Sequence, residues 1–308
     1  MNSKSKQPIL VTGSHRSGST WVGRVISAHS GVCYVDEPVK PENAPDFLHN
    51  GFNISFAYIT GEWHRRFLQG YKKLLTGNFP GLSDISHLTY RNWLKYFVYF
   101  RLIAGIKRQR YLLKDPFAIF SSEWFDRYLR SKNIILIRHP AAFVSSLKKN
   151  GWTHDFNSFL RQPELIRDHL PAYREEIMKC IEENYDVIDQ GILFWNLFHS
   201  YILKMKEKHP DWYFVRHEDL SVNPFDEFQR VFQYLELSFS AKVQAYLRST
   251  TSEENRSERP DNISHVLKRN SKANIKNWKK RLTGNEIEKI HEQTKAVSSY
   301  FYSPEEWN

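Results

Sequence analysis

The segment Ile9-Leu10-Val11-Thr12-Gly13-Ser14-His15-Arg16-Ser17-Gly18-Ser19-Thr20-Trp21 joins a short apolar run to a helix start through a turn rich in glycine and serine. A turn of this kind points successive backbone N–H groups inward at a helix N-terminus, where the helix dipole also favours an anion. Its chemistry is the binding of a phosphate or a similar oxyanion. Gly13 and Gly18 have the spacing of a nucleotide-triphosphatase loop, but Ser19 stands where that pattern carries lysine. Arg16 offers instead a planar fork of donors suited to a phosphate or sulfuryl oxygen. A triphosphate held with magnesium is therefore a poor match.

A second constellation lies in Asn133 to Ser146, where an apolar strand ends in Arg138, His139-Pro140 follows, and Ser146 comes eight positions after the arginine. Arg138 leaves the strand at its C-terminal end, and Ser146, two turns into the next helix, can turn toward the same crevice. Tyr111 to Phe117 puts Lys114 at another strand end, and Tyr34 to Pro38 puts the acidic pair Asp36-Glu37 at a third. Lys268 to Trp278 is strongly basic and ends on an aromatic. Each piece alone has a plainer use: Arg138 in a surface ion pair, Ser146 on a helix face, Lys114 paired with Asp115, Asp36-Glu37 as an acidic turn before Pro38. Isolated histidines such as His139 and His217 more often satisfy backbone groups than perform chemistry.

Together these segments resemble the PAPS-dependent sulfotransferases, where PAPS is 3′-phosphoadenosine 5′-phosphosulfate, and are closest in motifs to the glycan and tyrosylprotein branches. Arg16-Ser17-Gly18-Ser19-Thr20 is similar to the family's phosphosulfate loop, R/K-S-G-[ST]-T, which is often followed by an aromatic, here Trp21. The resemblance implies PAPS as donor, 3′-phosphoadenosine 5′-phosphate (PAP) as product, and no metal requirement. It implies that His15 to Trp21 border the 5′ end of the nucleotide, that Arg138 and Ser146 bind the 3′-phosphate, and that Lys268, Arg269 and Lys272 close over it. Arg16 and Lys114 would stabilise the leaving phosphate. The tetrapeptide Lys114-Asp115-Pro116-Phe117 matches one in the tyrosylprotein branch, whose lysine is assigned to the site. The small-molecule branch has a histidine two residues after that lysine; here the position is Pro116. The resemblance therefore points to Glu37, twenty-one residues after Arg16, as the general base, with Asp36 as its fallback.

Elements must hold these residues together. Short apolar runs at Ile9–Thr12, Val32–Val35, Tyr111–Leu113, Asn133–Ile137 and Trp212–Val215 read as strands. Helical periodicity marks Ser19–Ala28, Ala118–Arg130, Ala141–Lys149, Val187–Lys208, Phe225–Leu235 and Asn285–Val297. The alternation predicts an α/β fold, a P-loop-type, mostly parallel sheet flanked by helices on both faces. The whole of 1–308 is expected to form a single domain, with an irregular helical insertion at about 38–110 and a basic C-terminal loop at about 250–280.

At 308 residues, 41% of them hydrophobic, the chain can bury a sizeable core, and its net charge of +10 favours an anionic ligand. Cys33 and Cys180, far apart and without histidines in ligand spacing, support neither a disulfide framework nor a zinc site, which fits the cytoplasm. No signal peptide or transmembrane segment is expected. Trp93–Ile106, broken by Lys95 and Arg101, reads as a buried amphipathic helix. The expected reaction moves a sulfuryl group by in-line displacement to a hydroxyl or amine, on a carbohydrate first, with glycolipid and tyrosine peptide also open and nucleic acid not expected as a partner. The competing functions are a P-loop nucleotide kinase or hydrolase and a non-catalytic polyanion-binding protein.

Overall fold

The computed structural model describes residues 7–39, 54–76, 110–258 and 267–308. The expected insertion is therefore described only in part, and Trp93–Ile106 lies outside the described residues, as do residues 259–266 of the basic loop.

Five apolar runs form strands: β1 (Ile9–Gly13), β2 (Val32–Asp36), β3 (Arg110–Lys114), β4 (Lys132–Ile137) and β5 (Tyr213–Arg216). They pair in the order β2-β3-β1-β4-β5, and every pairing is parallel. Parallel strands buried on both faces read as continuous apolar sequence, which is why these runs lack strict alternation. Successive side chains nonetheless separate. Ile9, Val11, Ile134 and Leu136 enter one layer, whereas Leu10, Leu113, Ile135 and Ile137 enter the layers on the other face.

Helices cover both faces, as expected. In chain order they include α1 (Ser19–Ser27), α2 (Gly61–Thr76), α3 (Ser122–Leu129), α4 (Pro140–Asn150), α5 (Val187–Lys208), α6 (His217–Val222), α7 (Pro224–Tyr234), α8 (Ala241–Thr251) and α9 (Gly284–Ser298). The first layer is built with α1, α7 and α8, while α4, α5 and α9 pack below β4, and α2 with α3 below β1 to β3. Local chemistry sets the starts. Asp186 caps α5 by accepting from the N–H groups of Ile188 and Asp189, Thr283 and Glu286 form a capping box on α9, and proline opens α4 and α7.

One element differs from the sequence expectation. Ala118–Arg130 is not a single helix: a 3-10 turn at Pro116–Ser121 precedes α3. The Asp115 carboxylate accepts from Phe117 N–H and Pro116 fixes the first turn, so the chain coils early and tightly. Because the sheet is parallel, all five strands end on one edge, and the loops after them form a single rim.

Candidate active site

The glycine-serine turn leaves β1 at Gly13 and enters α1 at Ser19. Gly18 is needed at its end: φ is 92°, and a Cβ there would lie 2.5 Å from Nδ1 of His217. With glycine as the cap, α1 has no side-chain cap and no acidic residue in its first turn, so its N-terminal amides face an anion site. Among the described residues, the buried hydroxyls of Ser14 and Ser17 find no hydrogen-bond partner, and neither does Nε of Arg138. Buried donors left open beside a helix N-terminus fit a polyanionic nucleotide.

Arg138 leaves the end of β4 beside this turn and donates from Nη1 to the carbonyl of Arg16, 2.5 Å away. Its own carbonyl accepts from the Trp195 indole at 2.8 Å, which fixes its backbone to α5. Glu218, on α6, lies beside it; desolvation pushes the Glu218 carboxyl up while Arg138 pulls it down. Ser146 is buried on α4, and Arg16 donates to its hydroxyl from Nε at 2.9 Å.

Glu37 follows β2 with φ at 46°, a left-handed conformation for a non-glycine residue, and its N–H donates to the Lys114 carbonyl at 2.7 Å. Nζ of Lys114 lies 2.6 Å from Oε1 of Glu37 and 2.6 Å from Oδ1 of Asp36. The lysine side chain is only 2% exposed. Gly23 makes room for it: a Cβ on that face of α1 would fall 3.2 Å from Cγ of Lys114.

A cavity of about 690 Å3 connects these parts. His15, Arg16, Gly18, Ser19, Thr20 and Trp21 border it, and so do Glu37, Arg138 and Arg269. Ser17, Lys114 and Ser146 sit behind its wall, and Lys268 and Lys272 stand outside, exposed, with Lys272 3.7 Å from Glu253. Arg216, at the end of β5, is engaged by Asp219 and Glu306, and braces the loop rather than bordering the cavity.

Sequence reasoning missed much of the remaining wall. Phe56 and Phe117 stack at 4.8 Å, and Trp152, 41% exposed, packs against the Arg16 guanidinium at 5.1 Å. Thr250 takes the indole N–H of Trp21 at 3.1 Å. His154 meets His15 between their Nε2 atoms at 3.0 Å, and its Nδ1 is 2.6 Å from the Thr153 carbonyl. A ring nitrogen facing a carbonyl must carry the proton, so Nε2 of His154 accepts from His15, whose buried Nδ1 has no partner among the described residues. Burial holds both imidazoles below the usual range, and for His15 the charges of His154 and Arg16 add to it. No motif announced these residues; only the packing of distant segments around one cavity brings them near.

Among the described residues, no group of His, Cys, Asp or Glu has metal-ligand geometry. The sequence matches the family described as a sulfotransferase domain over residues 6–301. No curated protein matches it. Among solved structures it is similar to the sulfotransferase domain of the Synechococcus PCC 7002 olefin synthase, at 16% identity, 98% coverage of each chain and a TM-score of 0.48. It is also similar to mouse sulfotransferase SULT7A1 complexed with PAP, at 12% identity, covering 95% of this chain and 85% of that one, with a TM-score of 0.48. The family match over nearly the whole chain carries the assignment: the protein belongs to the sulfotransferase family and is a PAPS-dependent transferase. Of the three functions left open by sequence, sulfuryl transfer is the one this supports.

Proposed function

We propose that the protein transfers the sulfuryl group of PAPS to a hydroxyl of a carbohydrate, with Glu37 as general base. One observation carries this reading: Glu37 borders the same cavity as Arg16 and the N-terminus of α1. Glu37 takes the acceptor's proton as the new oxygen–sulfur bond forms and the bond to the 5′-phosphate oxygen breaks. Arg16 and the first-turn amides of α1 receive the charge that grows on the departing phosphate. Arg138 binds the 3′-phosphate, with Ser146 behind Arg16 supporting the guanidinium. Lys114, between Glu37 and Asp36, orients the base and supplies positive charge next to it. Arg269 borders the cavity and joins the nucleotide's cover, and we keep Lys268 and Lys272 as outer cations of the same segment.

The carbohydrate reading is supported by flat apolar rings, Phe56, Phe117 and Trp152, mixed with the small polar side chains of Ser55, Thr153 and Ser158. Rings of this kind offer a sugar its apolar face while nearby hydroxyls bond its polar edge. We further propose that 1–308 acts as one unit and, on its two buried free thiols, that it works in the cytoplasm. The test is PAP release from PAPS in EDTA with monosaccharides, chitooligosaccharides, a glycolipid and tyrosine peptides as acceptors. Turnover with the sugars alone is the expected result, and turnover confined to the peptides overturns the carbohydrate assignment.

A further inference from the structure

We infer that Asp115 is a positioning residue for the transfer reaction: its buried carboxylate fixes the turn that carries Glu37 and the cavity wall at Phe117 relative to each other. The inference rests on Glu37 being the base.

The turn Glu37-Pro38-Val39 has only two backbone donors, because proline has no N–H. Glu37 N–H donates to the Lys114 carbonyl, and Val39 N–H donates to Oδ2 of Asp115. Consecutive residues at the end of β3 therefore take both donors. The left-handed backbone at Glu37 is disfavoured for a residue with a side chain, and it persists only where its surroundings over-determine it.

The other oxygen, Oδ1, accepts from Phe117 N–H at 2.9 Å. Phe117 stacks on Phe56, and both border the cavity. Asp115's own N–H donates to the Val11 carbonyl at 2.9 Å, which ties the same residue to β1 just ahead of the glycine-serine turn. Capping the 3-10 turn needs one acceptor oxygen, and serine or asparagine would supply it. Two acceptors aimed at two segments need a carboxylate. The side chain is fully buried, and burial pushes its carboxyl up to about 7, with Glu37 raising it and Lys114 lowering it. A plain cap gives no reason to bury an acid so completely.

The experiment compares Asp115→Asn and Asp115→Ser in the wild-type and Glu37→Gln backgrounds. Asn keeps the shape but turns an amide NH2 toward one of the two N–H groups, whereas Ser keeps a capping oxygen for Phe117 and loses the one for Val39. Thermal unfolding identifies a variant that does not fold, and the other then decides. Turnover is read as PAP release from PAPS with N-acetylglucosamine, tyrosine methyl ester or water as acceptor. Both variants are expected to bind PAP as wild type by calorimetry, to exchange the amides of Glu37 and Val39 faster with deuterium, and to lose about ten- to a hundredfold in kcat. Neither should lose more in the Glu37→Gln background. Equal losses in both backgrounds, a parallel loss of PAP affinity, or unchanged amide exchange overturns the role of Asp115 alone. Wild-type turnover by Glu37→Gln itself overturns the base assignment, and the inference with it.

Discussion

Arg16 and Ser146 are joined by a hydrogen bond of 2.9 Å across 130 residues of sequence. The bond links the turn after β1 to the helix after β4, the two motifs that the resemblance assigns to opposite ends of one nucleotide. Arg138 closes the same circuit through the Arg16 carbonyl, so the residues proposed for the two phosphate ends touch before any ligand is considered.

Arg138→Ala is expected to weaken PAP binding about ten- to a hundredfold, the worth of one or two charge-assisted hydrogen bonds. AMP, which lacks the 3′-phosphate, should lose much less. Calorimetry with both nucleotides checks this; equal losses would remove Arg138 from the 3′-phosphate.

Glu37→Gln should leave PAP affinity intact and lower kcat by about 10²- to 10⁴-fold. Because Gln keeps the side-chain length, a fall in thermal stability as large as the fall in rate would point to a structural cause.

Gly18→Ala places a methyl group against the His217 ring and forces alanine into a left-handed conformation, a backbone cost of about 1–2 kcal/mol before the clash is counted. Donor affinity and thermal midpoint should fall together, and a variant that keeps both would show that the turn relaxes freely.

Several histidines are buried in neutral form, and burial lowers His139 and His199 to about 3. Their unfolded forms protonate near 6.5, so in that range the unfolded chain binds more protons than the folded one. The stability these groups contribute is complete above about 6.5 and is lost as pH falls toward about 3. His139 is the cleanest case: among the described residues neither ring nitrogen has a partner, and the ring stacks on Trp278 at 5.3 Å. His139→Phe is expected to flatten the pH dependence of urea unfolding between pH 7 and 4, and an unchanged slope would assign the acid sensitivity to the other histidines.

The sheet was legible because each strand is a short apolar run bounded by turn residues, and the strand ends differ from expectation by about one residue. The glycine-serine turn was legible for the same local reason. Much of the rest was hidden because it depends on direction rather than identity. Lys114 sits at the expected strand end, but the packing of α1 over Gly23 buries its chain behind Glu37, a fact no spacing encodes. His15 was placed in the loop, yet its ring turns into an aromatic nest with Phe143 and Phe194. Trp152, His154 and Thr250 come from segments without a motif, so only the assembled rim reveals them.

One lysine set between two acids does not balance them. Asp36 and Glu37 share the single Lys114 beside the cavity wall that Glu37 forms, where we propose the acceptor enters, while Arg16, Arg138 and Arg269 border the cavity where we propose the nucleotide lies. Such a polarised chamber would disfavour an acceptor that arrives already ionised and favour a neutral alcohol, whose proton would pass to a carboxylate held by Lys114.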